Sequence, residues 1–177
     1  MSVEIVLTVI AQDRPGLVER LSDVVERHGG NWIDSSMARL GGEFAGIVQV
    51  SLAQGSVDGL EQALAALAAD GIHCVVRRDH AARPAEGPHA RLEVTGVDHP
   101  GIVHEISSAL ARHGVSIDAL ETRVFQGSMS GEAMFAASAE IVLPASLTTE
   151  QLRDLLEDIA HDIMVDIDIA DEATAVA

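Results

Sequence analysis

The strongest constraint on this chain is that it repeats itself. Asp13-Arg14-Pro15-Gly16-Leu17-Val18 recurs as Asp98-His99-Pro100-Gly101-Ile102-Val103, at a shift of 85 residues. The same shift carries Arg27-His28-Gly29 onto Arg112-His113-Gly114. Between these landmarks the apolar positions Leu17, Val18, Leu21, Val24 and Val25 map onto Ile102, Val103, Ile106, Ala109 and Leu110. That spacing (i, i+1, i+4, i+7, i+8) is one face of an α-helix. A motif, a helical face and a stop signal held in one register mean a duplicated folding unit.

The unit can be read element by element. Val3, Ile5, Leu7 and Val9 alternate as a strand does, and Leu92 and Val94 match the last two. After each strand, proline presets φ for a helical turn, and the preceding Asp13 or Asp98 is suited to accept from free N–H groups. Gly29 and Gly114 follow a histidine and suit left-handed helix ends. Strands are expected over 32–40 and 43–52, then over 116–126 and 132–143. Gly41-Gly42 forms the first hairpin turn, and Gln126 to Gly131 the second. Leu60, Ala63, Leu64 and Leu67 mark another helix, as do Leu152, Leu155, Leu156 and Ile159, with Thr148 and Gln151 as a capping box. Closing strands fall at 72–78 and 164–169.

The expected fold is therefore α+β: two ferredoxin-like βαββαβ domains, each a four-stranded antiparallel sheet with two helices on one face. They span 1–79 and 89–170, with a linker at 80–88 and a C-terminal tail at 171–177.

Composition narrows the chemistry. The formal charge is −17 and aromatic residues make up 2% of the chain. Such a field repels phosphate backbones and offers few stacking platforms, so direct nucleic-acid binding is not expected. With no lysine, Schiff-base chemistry and a phosphate-loop lysine are excluded. One cysteine, Cys74, in apolar surroundings reads as a core residue. Met1 to Ile10 lacks a signal-peptide pattern, and no apolar run reaches the roughly 18 residues of a membrane span. A cytoplasmic protein with no membrane association is expected.

These residues resemble the ACT domain family: an apolar strand, then D-R-P-G-L-V, an amphipathic helix, H-G-G-N-W-I-D and a β-hairpin. A tandem pair is similar to the glycine cleavage system transcriptional repressor family, and Asn31-Trp32-Ile33-Asp34-Ser35-Ser36 with Gly42-Glu43-Phe44 resembles its first repeat. The resemblance implies a regulator that binds a small ligand, often an amino acid such as glycine or serine, between ACT domains. It also implies action through a protein partner such as a transcription factor, without enzymatic activity or a cofactor. A homodimer is compatible with it. The second copy departs at His99 for Arg14 and Ser116 for Asn31; Ala11 and Gly96 stand where serine-binding relatives often carry a polar contact.

Backbone physics identifies a candidate site. The loop after each first strand offers the positive end of a helix to a carboxylate, and Gly16 or Gly101 allows close approach to the main chain. Asp13 or Asp98 suits a ligand ammonium, and Asn31 or Ser116 either end. Arg14, His99 and Ile33 complete the candidate set. By family analogy, the loop of one copy faces the start of the second strand in the other copy, so that the pockets lie between repeats. The competing reading is structural: the aspartates cap helices and Gly-Pro shapes a turn.

Other functions are weaker. A small hydrolase of the acylphosphatase type would need a glycine-rich phosphate loop, which is missing. His99, His104 and His113 lack the i, i+4 spacing of helical metal ligands. Trp32 reads as core, Asp166 and Asp168 as solvent-facing, and the acids at 154, 157, 158 and 162 as a solvated helix face. A ligand-free protein-interaction module is the main alternative.

Overall fold

The computed structural model describes residues 1–78, 86–128 and 131–171. The first half forms β1 (Ser2–Gln12), α1 (Leu17–Arg27), β2 (Asn31–Leu40), β3 (Glu43–Ala53), α2 (Val57–Ala66) and β4 (Ile72–Arg77). The second forms β5 (His89–Val97), α3 (Ile102–Arg112), β6 (Ser116–Gln126), β7 (Ala133–Val142), α4 (Thr149–Asp162) and β8 (Val165–Asp171). Two compact units result, Met1–Ala82 and Arg83–Ala177. Most of the expected linker and tail lies outside the described residues. Pro88, the last linker residue, accepts a hydrogen bond from the Leu143 N–H and so takes part in the second unit.

Each unit has one four-stranded antiparallel sheet, in the order β2-β3-β1-β4 and β6-β7-β5-β8. Alternation decides which face is buried. Ile5, Leu7, Val9 and Ala11 of β1 join Val48, Val50 and Leu52 of β3 beneath Leu21, Val25, Leu60 and Leu64 of the helices. In the second unit Leu92, Val94, Ala139 and Ile141 meet Ile102, Ile106, Leu110, Leu152 and Leu156. Each fully buried Leu or Ile contributes about 1.5–3 kcal/mol relative to exposure. No polar or charged side chain is buried among the described residues. Trp32 and Cys74 pack partly buried against the first core, and burial pushes the Cys74 thiol pKa up, away from a reactive thiolate. None of the helices among the described residues is long and apolar enough to cross a membrane.

Three side chains expected on buried helical faces are exposed. Val18, Val103 and Leu155 are 46%, 45% and 40% exposed. Each lies at the margin of a stripe already filled by residues three and four positions apart, beyond the width a single sheet covers.

The helix ends are built from backbone. At α1 the Gly29 N–H donates to the Glu26 carbonyl and the Gly30 N–H to that of Val25; Gly114 and Val115 repeat this at α3. Both are Schellman closures that need a left-handed residue, and Gly29 and Gly114 each have φ 70°. The helix starts correct an expectation: the N-caps are Gly16 and Gly101, at φ 88° and 106°, with no side-chain cap. Asp13 and Asp98 therefore do not cap, because they precede the first helical residue by too many positions to reach its N–H groups. At α4 the capping box forms, Thr148 accepting from the Gln151 N–H at 3.2 Å. Gly41 and Gly42 both have positive φ, as a type I′ hairpin turn requires. The second hairpin turn lies partly outside the described residues.

Register also exposes a substitution that motif matching overlooks. Ala11 pairs with Ile72, and its counterpart Gly96 pairs with Val165. The residues before these partners, Gly71 and Met164, are therefore equivalent. Both are left-handed, at φ 75° and 53°, and Met164 is the non-glycine residue with positive φ among the described residues.

Candidate functional site

The candidate residues fall into two groups at opposite ends of each sheet. Asp13, Arg14 and Gly16 form the β1–α1 corner, where the Asp13 N–H donates to the Gly42 carbonyl. Asn31 begins β2 opposite Ser51, which pairs with Glu4 near the start of β1. Asp13 thus lies nine residues along from the level of Asn31, on the order of 30 Å at about 3.3 Å per residue. The second unit repeats this. Ser116 is opposite Val142, which pairs with His89, nine residues before Asp98. Within one unit, the structure does not bring the corner and the strand start together.

The corner of the first unit is exposed, and its polar side chains are engaged. Asp13 Oδ2 accepts from Arg39 Nη1 at 3.1 Å. Arg14 Nη2 donates to the Asp70 carbonyl at 2.5 Å, and Arg20 pairs with the Asp70 carboxylate. Gly16 supplies no side-chain cap, which leaves the positive end of the dipole facing the corner, and the Glu19 carboxylate of the first turn lies beside it. A cleft of about 560 Å³ opens beside it, lined by Arg14, Pro15, Gly16, Arg20, Arg27 and Asp70 among others. A second, of about 250 Å³, lies against Asp13, Gly16, Leu17 and Phe44. Gly16 is required by its φ; a Cβ there would meet only the Glu19 carboxylate, at 3.8 Å.

In the second unit, Asp98 is exposed and no arginine stands where Arg39 does; the equivalent residue is Val124. His99 takes the place of Arg14. Its Nε2 lies 2.7 Å from the Ile163 carbonyl and its Nδ1 3.2 Å from that of Pro100. These hydrogen bonds, the Ile163 one foremost, raise the His99 pKa above the ordinary histidine value.

The strand starts share a β-bulge. Register slips between Trp32 and Asp34 in β2 and between Ile117 and Ala119 in β6. The unpaired residues are Ile33, 45% exposed, and Asp118. A bulge turns its extra residue away from the ladder. Asn31 with Ile33 therefore presents a neutral edge, whereas Ser116 with Asp118 presents a carboxylate, 4.0 Å from His89 Nδ1. Motif reading missed Asp118, Arg39 and Asp70. The 85-residue shift points to Asp118, but nothing local signals the other two, which reach the corner only through sheet pairing. Among the described residues, no group of three His, Cys, Asp or Glu side chains could hold a metal ion.

Fold and site together define a tandem ferredoxin-like protein with a glycine corner repeated in each unit. The ACT domain matches residues 4–72 and again residues 90–157, and the chain belongs to the ACT domain family. It is 28% identical over 121 residues to the glycine cleavage system transcriptional repressors of Escherichia coli (strain K12) and Shigella flexneri. The match covers 67% of this chain and 64% of those proteins, so the chain spans just under two thirds of their length. Among solved structures, a protein of unknown role from Galdieria sulphuraria superposes at TM-score 0.81, with 29% identity, covering 98% of this chain and all of that one. A structure provisionally named as a glycine cleavage system transcriptional repressor superposes at TM-score 0.76 with 18% identity, over 98% of this chain and 99% of the other, a likeness of fold.

Proposed function

We propose that this chain is a regulatory protein rather than an enzyme, and that it binds a small amino acid such as glycine or serine. The ligand carboxylate sits at the α1 N-terminus beside Gly16, and Asn31 with the Ile33 bulge, contributed by another ACT module, closes the far side. The carrying observation is the separation of about 30 Å between corner and strand start within one module. Residues that far apart can act together only when two modules meet. The second corner, beside Gly101, departs from the first in carrying His99 where Arg14 stands, and is the weaker site. Output passes to a protein partner, in the manner of a transcription factor under control; the −17 charge opposes direct contact with DNA.

One observation favours the ligand-free alternative. Asp13 and Arg14 already have partners in Arg39 and Asp70, so the corner is complete without a guest. A melting panel of glycine, serine, threonine and the branched-chain amino acids separates the two readings. A ligand at 100 times its Kd adds about 2.7 kcal/mol, on the order of 5–10 °C in midpoint. Binding that Asn31→Ala weakens supports the sensor. If no amino acid moves the midpoint at millimolar concentration, the interaction-module reading replaces it. Affinity unchanged by Asn31→Ala would move the site elsewhere.

A further inference from the structure

The two glycine corners are fastened at the same place by different chemistry. In the first unit Arg14 donates to the Asp70 carbonyl, one residue before the left-handed Gly71. In the second, His99 Nε2 reaches the carbonyl of Ile163, one residue before the left-handed Met164. Sheet register makes Asp70 and Ile163 equivalent. The remaining ring nitrogen of His99, Nδ1, faces the Pro100 carbonyl. A carbonyl oxygen only accepts, so both contacts are satisfied only when both ring nitrogens carry protons. Arginine keeps its charge throughout the working range of a protein, and histidine does not.

We propose that His99 is a proton-operated clasp: as an imidazolium it fastens the Gly101 corner to the α4–β8 turn, and on losing a proton it loosens that corner, while Arg14 holds the Gly16 corner at every physiological pH.

The neutral ring retains one proton. Left on Nε2, it keeps the shorter bond but sets the bare lone pair of Nδ1 against the Pro100 carbonyl. Left on Nδ1, it surrenders Ile163. Either way one of the two contacts becomes repulsive. The surroundings act in both directions, with burial of the ring opposing the cation. Asp98 of the same loop favours the cation, α3 contributes Glu105 in its first turn, and the end of α4 carries exposed His161 and Asp162 beside the Ile163 carbonyl. Because the folded state holds the proton more tightly than the unfolded chain, the clasp is complete below the ordinary histidine range. It is lost as pH rises through the raised folded value. If the Gly101 corner takes a ligand, as proposed above, affinity there becomes pH-dependent; that consequence rests on the binding reading, whereas the clasp does not.

The test uses the full chain without ligand. Nitrogen NMR follows the His99 ring, and amide exchange, corrected for its intrinsic pH dependence, follows the hydrogen-bonded Asp98 and Glu105 amides of the Gly101 corner against those of Asp13 and Arg20 at the Gly16 corner, from about pH 5.5 to 8.5. Both ring nitrogens should be protonated at the acid end. As the ring titrates, opening at the Gly101 corner should rise roughly threefold or more while the Gly16 corner stays level. His99→Arg, which installs the first unit's solution, should abolish the difference. Identical profiles at the two corners, or a dependence that persists in His99→Arg, would overturn the clasp.

Discussion

Met164→Gly should stabilise the second unit, and the size of the effect follows from its geometry. Met164 has φ 53° and its side chain is 74% exposed, so it forfeits left-handed strain while recovering little by burial. A left-handed L-residue costs roughly 1–2 kcal/mol, and glycine costs about 0.5–1 kcal/mol in extra chain entropy. The net gain is about 0.5–1 kcal/mol, or roughly 2–8 °C for a unit of this size. Gly71→Ala is the reverse experiment. A Cβ at Gly71 meets nothing within 4 Å, so its penalty of about 1 kcal/mol comes from φ alone. Calorimetry with denaturant melts of both variants supplies the two numbers. A destabilised Met164→Gly together with a neutral Gly71→Ala would refute the reasoning, because φ at the helix-to-strand turn would then not set the cost.

Two further variants test the scaffold. Thr148→Ala removes one half of the α4 capping box and should cost about 1 kcal/mol in a urea melt, with Thr148→Ser recovering most of it. Gly46→Ala should cost more than a surface change: its Cβ would fall 2.3 Å from the Ser36 carbonyl oxygen and 2.6 Å from Met37 Cγ, and overpacking of that kind costs about 1–3 kcal/mol. A neutral Gly46→Ala would mean that β2 and β3 separate locally without penalty.

Much of the architecture was legible because its determinants are local. Alternation marked β1 through Ile5, Leu7 and Val9, all buried, and Gly29 and Gly114 announced helix ends that form as expected. The helix starts were misread at Asp13 and Asp98, since an acidic residue near a helix resembles a cap until the chain's path is known. Val18 and Val103 were misread because periodicity identifies an apolar stripe but not how wide a strip of sheet lies beneath it.

The site was legible only as parts. Asp13-Arg14-Pro15-Gly16 and Asn31 stand out as motifs, yet their placement at opposite ends of one sheet depends on strand register. So do the Asp13–Arg39 pair, the Arg14–Asp70 tie and the match of Met164 to Gly71.

The sequence by itself determined that there are two units, what each is made of, and where its chain turns, because periodicity and glycine act over a few neighbouring residues. The tertiary structure alone decided which distant groups meet. Hydrogen-bonded pairing sets that at separations local chemistry does not encode, and it places Arg14 and His99 on matching carbonyls with different responses to a proton.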